Sequence, residues 1–382
     1  MATIDSRIGI LALTMPLLAA VPTAKAGPVA MQPVAFLTGS ADAIVLGSAA
    51  GTLQFQAPGA FSLQVLRVVK GPASIAGTTI LVQWAPPSPG IVWPGAGFPA
   101  TGAGIWFLKG AAGGWSFLPV AQGSVTFDMT YFPAPMTSLP GAYAYSATAP
   151  VQDKLASELA AAIEAWDGSF KLQFDDLFSG DLEDLKSPVI HTLDERLAAS
   201  SSVRQQVLGL DGLIIGGDAS ALAKAVASDA SFSKYGLERG MLLHAIRELF
   251  RSTDPAAIAT LGQTAQSTSA ALDLRRVAAH ALAAIHTSAT LPYLATLLDS
   301  PDAILRVEGI GGIGAFANSL PTQTPANTAS LGYLQFPAKG VYKTEDTMAH
   351  FAMGPKAIES NESFYLSFWK AWWQQNRASL GF

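Results

Sequence analysis

A helical repeat near the carboxyl end narrows the fold more than any other feature. Residues 272–286 read LDLRRVAAHALAAIH, and Leu274, Ala278, Ala281, Leu282 and Ile285 share one face of a helix. Shifted by 31 residues, Leu274 falls on Leu305, Arg275 on Arg306, Ala278 on Gly309, Ala281 on Gly312, Leu282 on Ile313 and Ile285 on Phe316. Shifted back by 36, the pattern meets Arg239, Leu242, Ala245, Ile246 and Leu249, and a fainter copy starts at Val203-Arg204 and continues through 219–226. Partner helices are expected at 255–261 and 287–298, the latter with Pro292 in its first turn, where a missing N–H costs nothing. A unit recurring at such a period cannot bury its apolar face alone, so neighbouring copies must stack.

The order apolar-Arg-x-x-Ala-x-x-Ala-Leu-x-x-Ile after an Asp/Pro turn resembles the HEAT-repeat family in its short bacterial variety, over residues 200–318. The resemblance implies an α-solenoid in which stacked helix pairs contact only their neighbours. Small residues at 278/309 and 281/312 would let adjacent helices approach closely. The recurring arginines read structurally as hydrogen bonds or ion pairs to a turn carboxylate of the neighbouring unit. Read functionally, Arg239, Arg275, Arg276 and Arg306 form a partner-binding row.

The repeat also settles a false lead. Within 306–318 (RVEGIGGIGAFAN), Gly309, Gly311 and Gly314 spell G-x-G-x-x-G, the dinucleotide-binding fingerprint. That fingerprint follows a strand and wants an acid about 20 residues on. Here the stretch follows an Asp-Pro turn, and after Glu308 the next acid is Glu345. A helix is expected, with no cofactor.

Residues 40–130 follow another pattern. Short β-branched or aromatic segments at 43–47 (AIVLG), 61–69 (FSLQVLRVV), 79–84 (TILVQW), 104–108 (GIWFL) and 115–120 (WSFLPV) are separated by Gly, Pro and Ser. In the second of these, Leu63, Val65 and Arg67 alternate against Gln64, Leu66 and Val68. An all-β barrel or sandwich is expected over 27–130, and the order of segments resembles netrin-like and tissue-inhibitor-like barrels of the OB type. Residues 71–108 carry no charge, yet six prolines interrupt them and exclude a membrane helix. Residues 131–150 read as a linker or covering loop. An amphipathic helix is expected at 151–166, with Leu155, Leu159, Ile163 and Trp166 on one face. The expected class is therefore α+β and multidomain: a small β domain, then a helical domain over 151–382 with its repeat core at 200–318.

The amino terminus has Arg7, an apolar run at 8–22 and Ala24-Lys25-Ala26, which together read as a secretory signal peptide over 1–26. Export to the periplasm or outside the cell is the corresponding expectation, with no transmembrane segment after cleavage. Removing that segment takes the net charge from −5 to −6, which argues against nucleic acid as a partner. The absence of cysteine excludes disulfides, thiolate metal sites and a Cys nucleophile.

No catalytic signature stands out. Neither G-x-S-x-G nor a P-loop occurs, and His191, His244, His280, His286 and His350 form no metal-binding pair. The acids Asp175, Asp176, Asp181, Glu183 and Asp184 lack calcium-loop spacing. The tail 364–373 (FYLSFWKAWW) is expected within a helix at 350–382 that caps the repeats, its functional reading being an aromatic platform through Trp369, Trp372 and Trp373. The leading expectation is an exported, non-enzymatic repeat protein that binds another protein or a cell-envelope component. The alternative is an exported hydrolase acting on cell wall or polysaccharide, with the β domain, which carries Trp84, Trp93, Trp106 and Trp115, or the Trp-rich tail in recognition.

Overall fold

The computed structural model describes residues 34–49, 59–84, 102–111, 114–117, 129–130, 139–164, 182, 185–323 and 362–382. The expected signal peptide, the acids at 175–184, Trp93, Trp166, His350, residues 118–120 and the start of the expected cap at 350–361 lie outside them.

All five expected β segments form strands. β1 (Ala43–Ala49), β2 (Gly59–Lys70), β3 (Thr79–Trp84), β4 (Gly102–Ala111) and β5 (Gly114–Phe117) close into a barrel in the order β1-β2-β3-β5-β4 and back to β1. A two-residue β6 (Met129–Thr130) adds to β4, and among the described residues only β3 with β5 is a parallel pair. Closure leaves β1 covered on both faces. Ala43 and Val45 join Leu63, Val65, Val82, Trp106 and Leu108 in one buried cluster. Ile44 and Leu46, of opposite parity, join a second cluster with the neighbouring helices. The Trp106 indole N–H donates to the Gly47 carbonyl at 3.0 Å.

The simple alternation of β2 needs correction at Arg67. Register shifts opposite Ile44/Val45 and Leu46/Gly47 insert a β-bulge, after which Val68 packs with the barrel cluster. Arg67 therefore leaves the face of Leu63 and Val65 and pairs with Glu158 at 2.8 Å.

Helix α1 (Val34–Ser40) precedes the barrel, inside a stretch expected to be wholly β. With α2 (Val151–Glu164) and α3 (Pro188–Ala198) it covers Ile44, Leu46, Ile105 and Phe107. Leu155, Leu159 and Ile163 are buried as their spacing requires. The described half of the expected linker, 139–150, packs as a cover: Tyr143 is buried and the Tyr145 hydroxyl donates to Glu158.

The remaining helices are α4 (Val203–Ile215), α5 (Ala219–Phe232), α6 (Gly236–His244), α7 (Pro255–Gln266), α8 (Leu272–Ile285), α9 (Leu291–Leu297), α10 (Ala303–Ala317) and α11 (Glu362–Asn376). A π turn at Ala245–Leu249 extends α6. Asp218, Asp254 and Asp302 cap α5, α7 and α10 by accepting backbone N–H bonds. One row runs α4, α6, α8, α10, each packed on the next; α5, α7 and α9 form a second row against it. α3 packs on α4, while α11 packs on α9 and α10. One apolar cluster runs from Ala198 to Trp369.

The glycine-rich stretch is helical, as the repeat alignment requires. A Cβ at Gly309 would lie 2.8 Å from the Leu294 carbonyl oxygen. One at Gly312 would lie 2.7 Å from Leu294 Cδ1 and 2.8 Å from Ala283 Cα. These two glycines thus set how closely α10 approaches α8 and α9. Gly240 in α6 faces open space by the same measure. Replacing a helical glycine by alanine gains about 1 kcal/mol, whereas overpacking costs roughly 1–3 kcal/mol. Gly240→Ala should therefore raise the urea midpoint and Gly312→Ala should lower it; equal shifts in one direction would contradict the packing role.

Candidate binding cleft and its arginine ladder

The recurring arginines step from helix to helix. Arg204 of α4 pairs with Glu238 of α6 at 3.0 Å, and Arg239 of α6 with Asp273 of α8 at 2.6 Å. Arg276 of α8 pairs with Asp302, the cap of α10, at 2.6 Å, and Arg306 of α10 with Glu362 of α11 at 2.7 Å. Each acid stands at or beside the first turn of its helix, where the helix dipole also favours a negative charge.

Arg239 is the most enclosed of these cations, its side chain 13% exposed. Its Nε and Nη2 donate to Asp229 of α5, while Nη1 and Nη2 donate to Asp273. Both nearby carboxylates raise its pKa, the Asp273 hydrogen bond most. In return, the hydrogen bond from Arg239 holds the Asp273 carboxyl below its ordinary range, and the bond from Arg276 does the same for Asp302.

Arg275, aligned with Arg306 by the repeat, makes no such step. Its Nε donates back to the Ala265 carbonyl at 3.2 Å, leaving the forward contact to Arg276. Arg306 serves in both directions, donating also to the Ser300 and Pro301 carbonyls. The four arginines thus share one environment of interhelical hydrogen bonds. The sequence reading expected a turn carboxylate without naming the acids, although their signal is present: an acid precedes an arginine within about one turn at 238–239, 273–276 and 302–306.

Beside Arg239 a cleft of about 910 Å³ opens between α5, α7 and the loop entering α8. Ala223, Ala227 and Ala230 line it from α5, Thr260, Gln263 and Thr264 from α7, and Ser267 and Ser269 from the loop. Asp229, Arg239 and Asp273 contribute its charges, a net −1. The Thr260 and Thr264 hydroxyls donate to carbonyls one turn earlier, which leaves their oxygens as acceptors. Such a lining offers shape and hydrogen bonds from hydroxyl and amide groups beside the charged Asp229, Arg239 and Asp273.

The aromatic candidates divide. Trp369 is wholly buried beneath α11 with Tyr365, so it is core and cannot serve as a platform. Trp372 and Trp373 are partly buried against the same core. Trp106 fills the barrel and Trp115 packs at its edge. Of the histidines, His280 contacts Glu308 at 3.0 Å, His191 lies beside Glu195, and His286 Nδ1 lies 2.6 Å from the Pro321 carbonyl oxygen. Among the described residues no group of three or more His, Asp or Glu is placed to hold a metal ion, and no helix is long and apolar enough to cross a membrane.

Asp211 of α4 is a buried acid outside the ladder. Burial pushes its carboxyl up to about 7. Its folded pKa lies above the unfolded value near 3.9, so the folded state loses stability as pH rises through that interval.

No protein-family model matches the chain, and neither a curated protein nor a solved structure matches it.

Removing Arg239 would leave the Asp229 carboxylate, whose side chain is 8% exposed, without its cation. Arg239→Met should lower unfolding stability by roughly 3 kcal/mol, the scale of a broken buried pair. Arg276, 37% exposed, should lose about 1 kcal/mol or less in the same substitution. Urea denaturation at neutral pH measures both, and equal losses would contradict the ranking.

Proposed function

We propose that this chain is an exported, non-enzymatic binding protein whose helices form a HEAT-like solenoid. The observation that carries the reading is the arginine ladder, which repeats one interhelical step four times between α4 and α11. Repeats tied in this way hold a long surface in fixed shape, and that suits recognition of a macromolecule. The open cleft between α5 and α7 supplies the docking position. Its small side chains admit a protein segment or envelope polymer, and its hydroxyl and amide groups offer hydrogen bonds.

The barrel reading is of the OB type. The closed order β1-β2-β3-β5-β4, with β3 and β5 parallel, supports it. The OB-type barrel and the solenoid would then share one exported chain, acting in the periplasm or outside the cell on a protein or envelope component.

Ala227 and Ala230 are exposed in the cleft wall, so arginines there should block it while leaving the fold intact. Immobilised protein should retain specific material from cell-envelope extracts, and the double variant Ala227→Arg, Ala230→Arg should lose it. Identical material on both, read by mass spectrometry and sugar analysis, would overturn the cleft as the binding position.

A further inference from the structure

The ladder is unbalanced at one step. Its four arginines face five acids, because Arg239 holds Asp229 as well as Asp273. All three residues line the α5–α7 cleft, so the surplus negative charge stands where a ligand would enter. The two carboxylates differ in access. Asp229 is 8% exposed and both its oxygens accept from Arg239, whereas the Asp273 side chain is 52% exposed. Asp273 Oδ1 accepts from Arg239 Nη2 and from the Leu274 N–H, and Oδ2 accepts from Arg239 Nη1. A carboxylate offers about four acceptor positions, so Asp273 retains room for a further donor. The hydroxyls around it have few protons to give. Thr260 and Thr264 donate theirs to the Ala256 and Thr260 carbonyls, and the Ser267 and Ser269 hydroxyls bond each other at 3.0 Å. Two cations stand close by in sequence: Lys234 lies over the Tyr235 ring and Arg275 donates to the Ala265 carbonyl. Neither lines the cleft.

We infer that the cleft takes a protein segment through a lysine side chain, an inference that rests on the cleft as the docking position. An ammonium carries three N–H donors and no acceptor. It supplies both things the lining lacks, a cation for the surplus charge and protons for its acceptors. A guanidinium fits less well. The fork of Arg239 already grips both carboxylates, and a compact point charge suits the single position left on Asp273. Ala223, Ala227 and Ala230 stand exposed at i, i+4 and i+7 along one face of α5. That wall is apolar and without bulk, so the methylene stem of a lysine can lie along it while the ammonium reaches the carboxylate. The volume of about 910 Å³ exceeds one side chain and leaves space for flanking backbone. A neutral polysaccharide would leave the charge unmatched, and an anionic polymer would be repelled by it.

Calorimetric titration of the full chain with a short capped peptide of alternating alanine and lysine tests this, at low ionic strength, where an exposed pair is least screened. The lysine peptide should bind and shift the amide resonances of α5 and α7. The same peptide with acetyl-lysine, or with glutamate in place of lysine, should bind roughly fivefold more weakly or worse, and Asp273→Asn should weaken the lysine peptide by a similar factor. Glu195→Gln, at an exposed acid of α3 outside the cleft, should leave it unchanged. No binding of the lysine peptide would overturn the inference. So would equal binding of the acetylated form, equal weakening by Glu195→Gln, or unchanged affinity in the double variant Ala227→Arg, Ala230→Arg. The acetylated comparison uses the wild-type protein and stands whatever Asp273→Asn does to the fold. If the lysine peptide fails while the double variant still loses envelope material, the lysine assignment falls and the cleft remains the docking position.

Discussion

The helical part depends on one arrangement: a guanidinium held between carboxylates of different helices. Arg239 spends its donors on Asp229 of α5 and Asp273 of α8, so three helices are fixed by one side chain. The planar fork of arginine makes this possible; a lysine ammonium could not grip both carboxylates in the same way. α4, α8 and α10 carry their own versions of the step, so ion pairs join successive helices along one edge. Small residues set the helix spacing in the interior, where Ala278, Ala281, Gly309 and Gly312 allow close approach.

A different device joins the barrel to the helices. β1 is buried on both sides, so its alternate residues serve two cores at once. The bulge in β2 turns Arg67 toward α2, where Glu158, 1% exposed, accepts from both Arg67 and Tyr145. Burial and the Glu158 contact raise the Tyr145 pKa, which keeps the phenol a donor. A local irregularity of one strand thereby pins the barrel to α2.

Much of this was legible from residue order alone. Strand positions followed from β-branched and aromatic runs, and the burial of Leu274, Ala278, Ala281, Leu282 and Ile285 followed from helical period. The alignment placed 306–318 in a helix in spite of its cofactor-like glycines. Period could not place Arg67, because a bulge shifts parity without leaving a residue signature. Nor could it separate Arg275 from Arg276: adjacent positions differ by about 100° around a helix, and only packing decides which one faces forward. Trp369 looked as eligible for the surface as Trp372 and Trp373, since aromatics surround α11 and its contacts with α9 and α10 select the buried side. The cleft joins residues of α5, α6, α7 and α8, whose convergence no single segment announces.

In the proposed solenoid each helix pair is stabilised chiefly by its neighbours, and hydrogen exchange in the native state reads that coupling helix by helix. Cutting the last step with Arg306→Ala should speed exchange in α10 and α11, while α4 and β1 keep their protection. Equal loss of protection throughout the helices and the barrel would contradict a chain of neighbour-to-neighbour contacts.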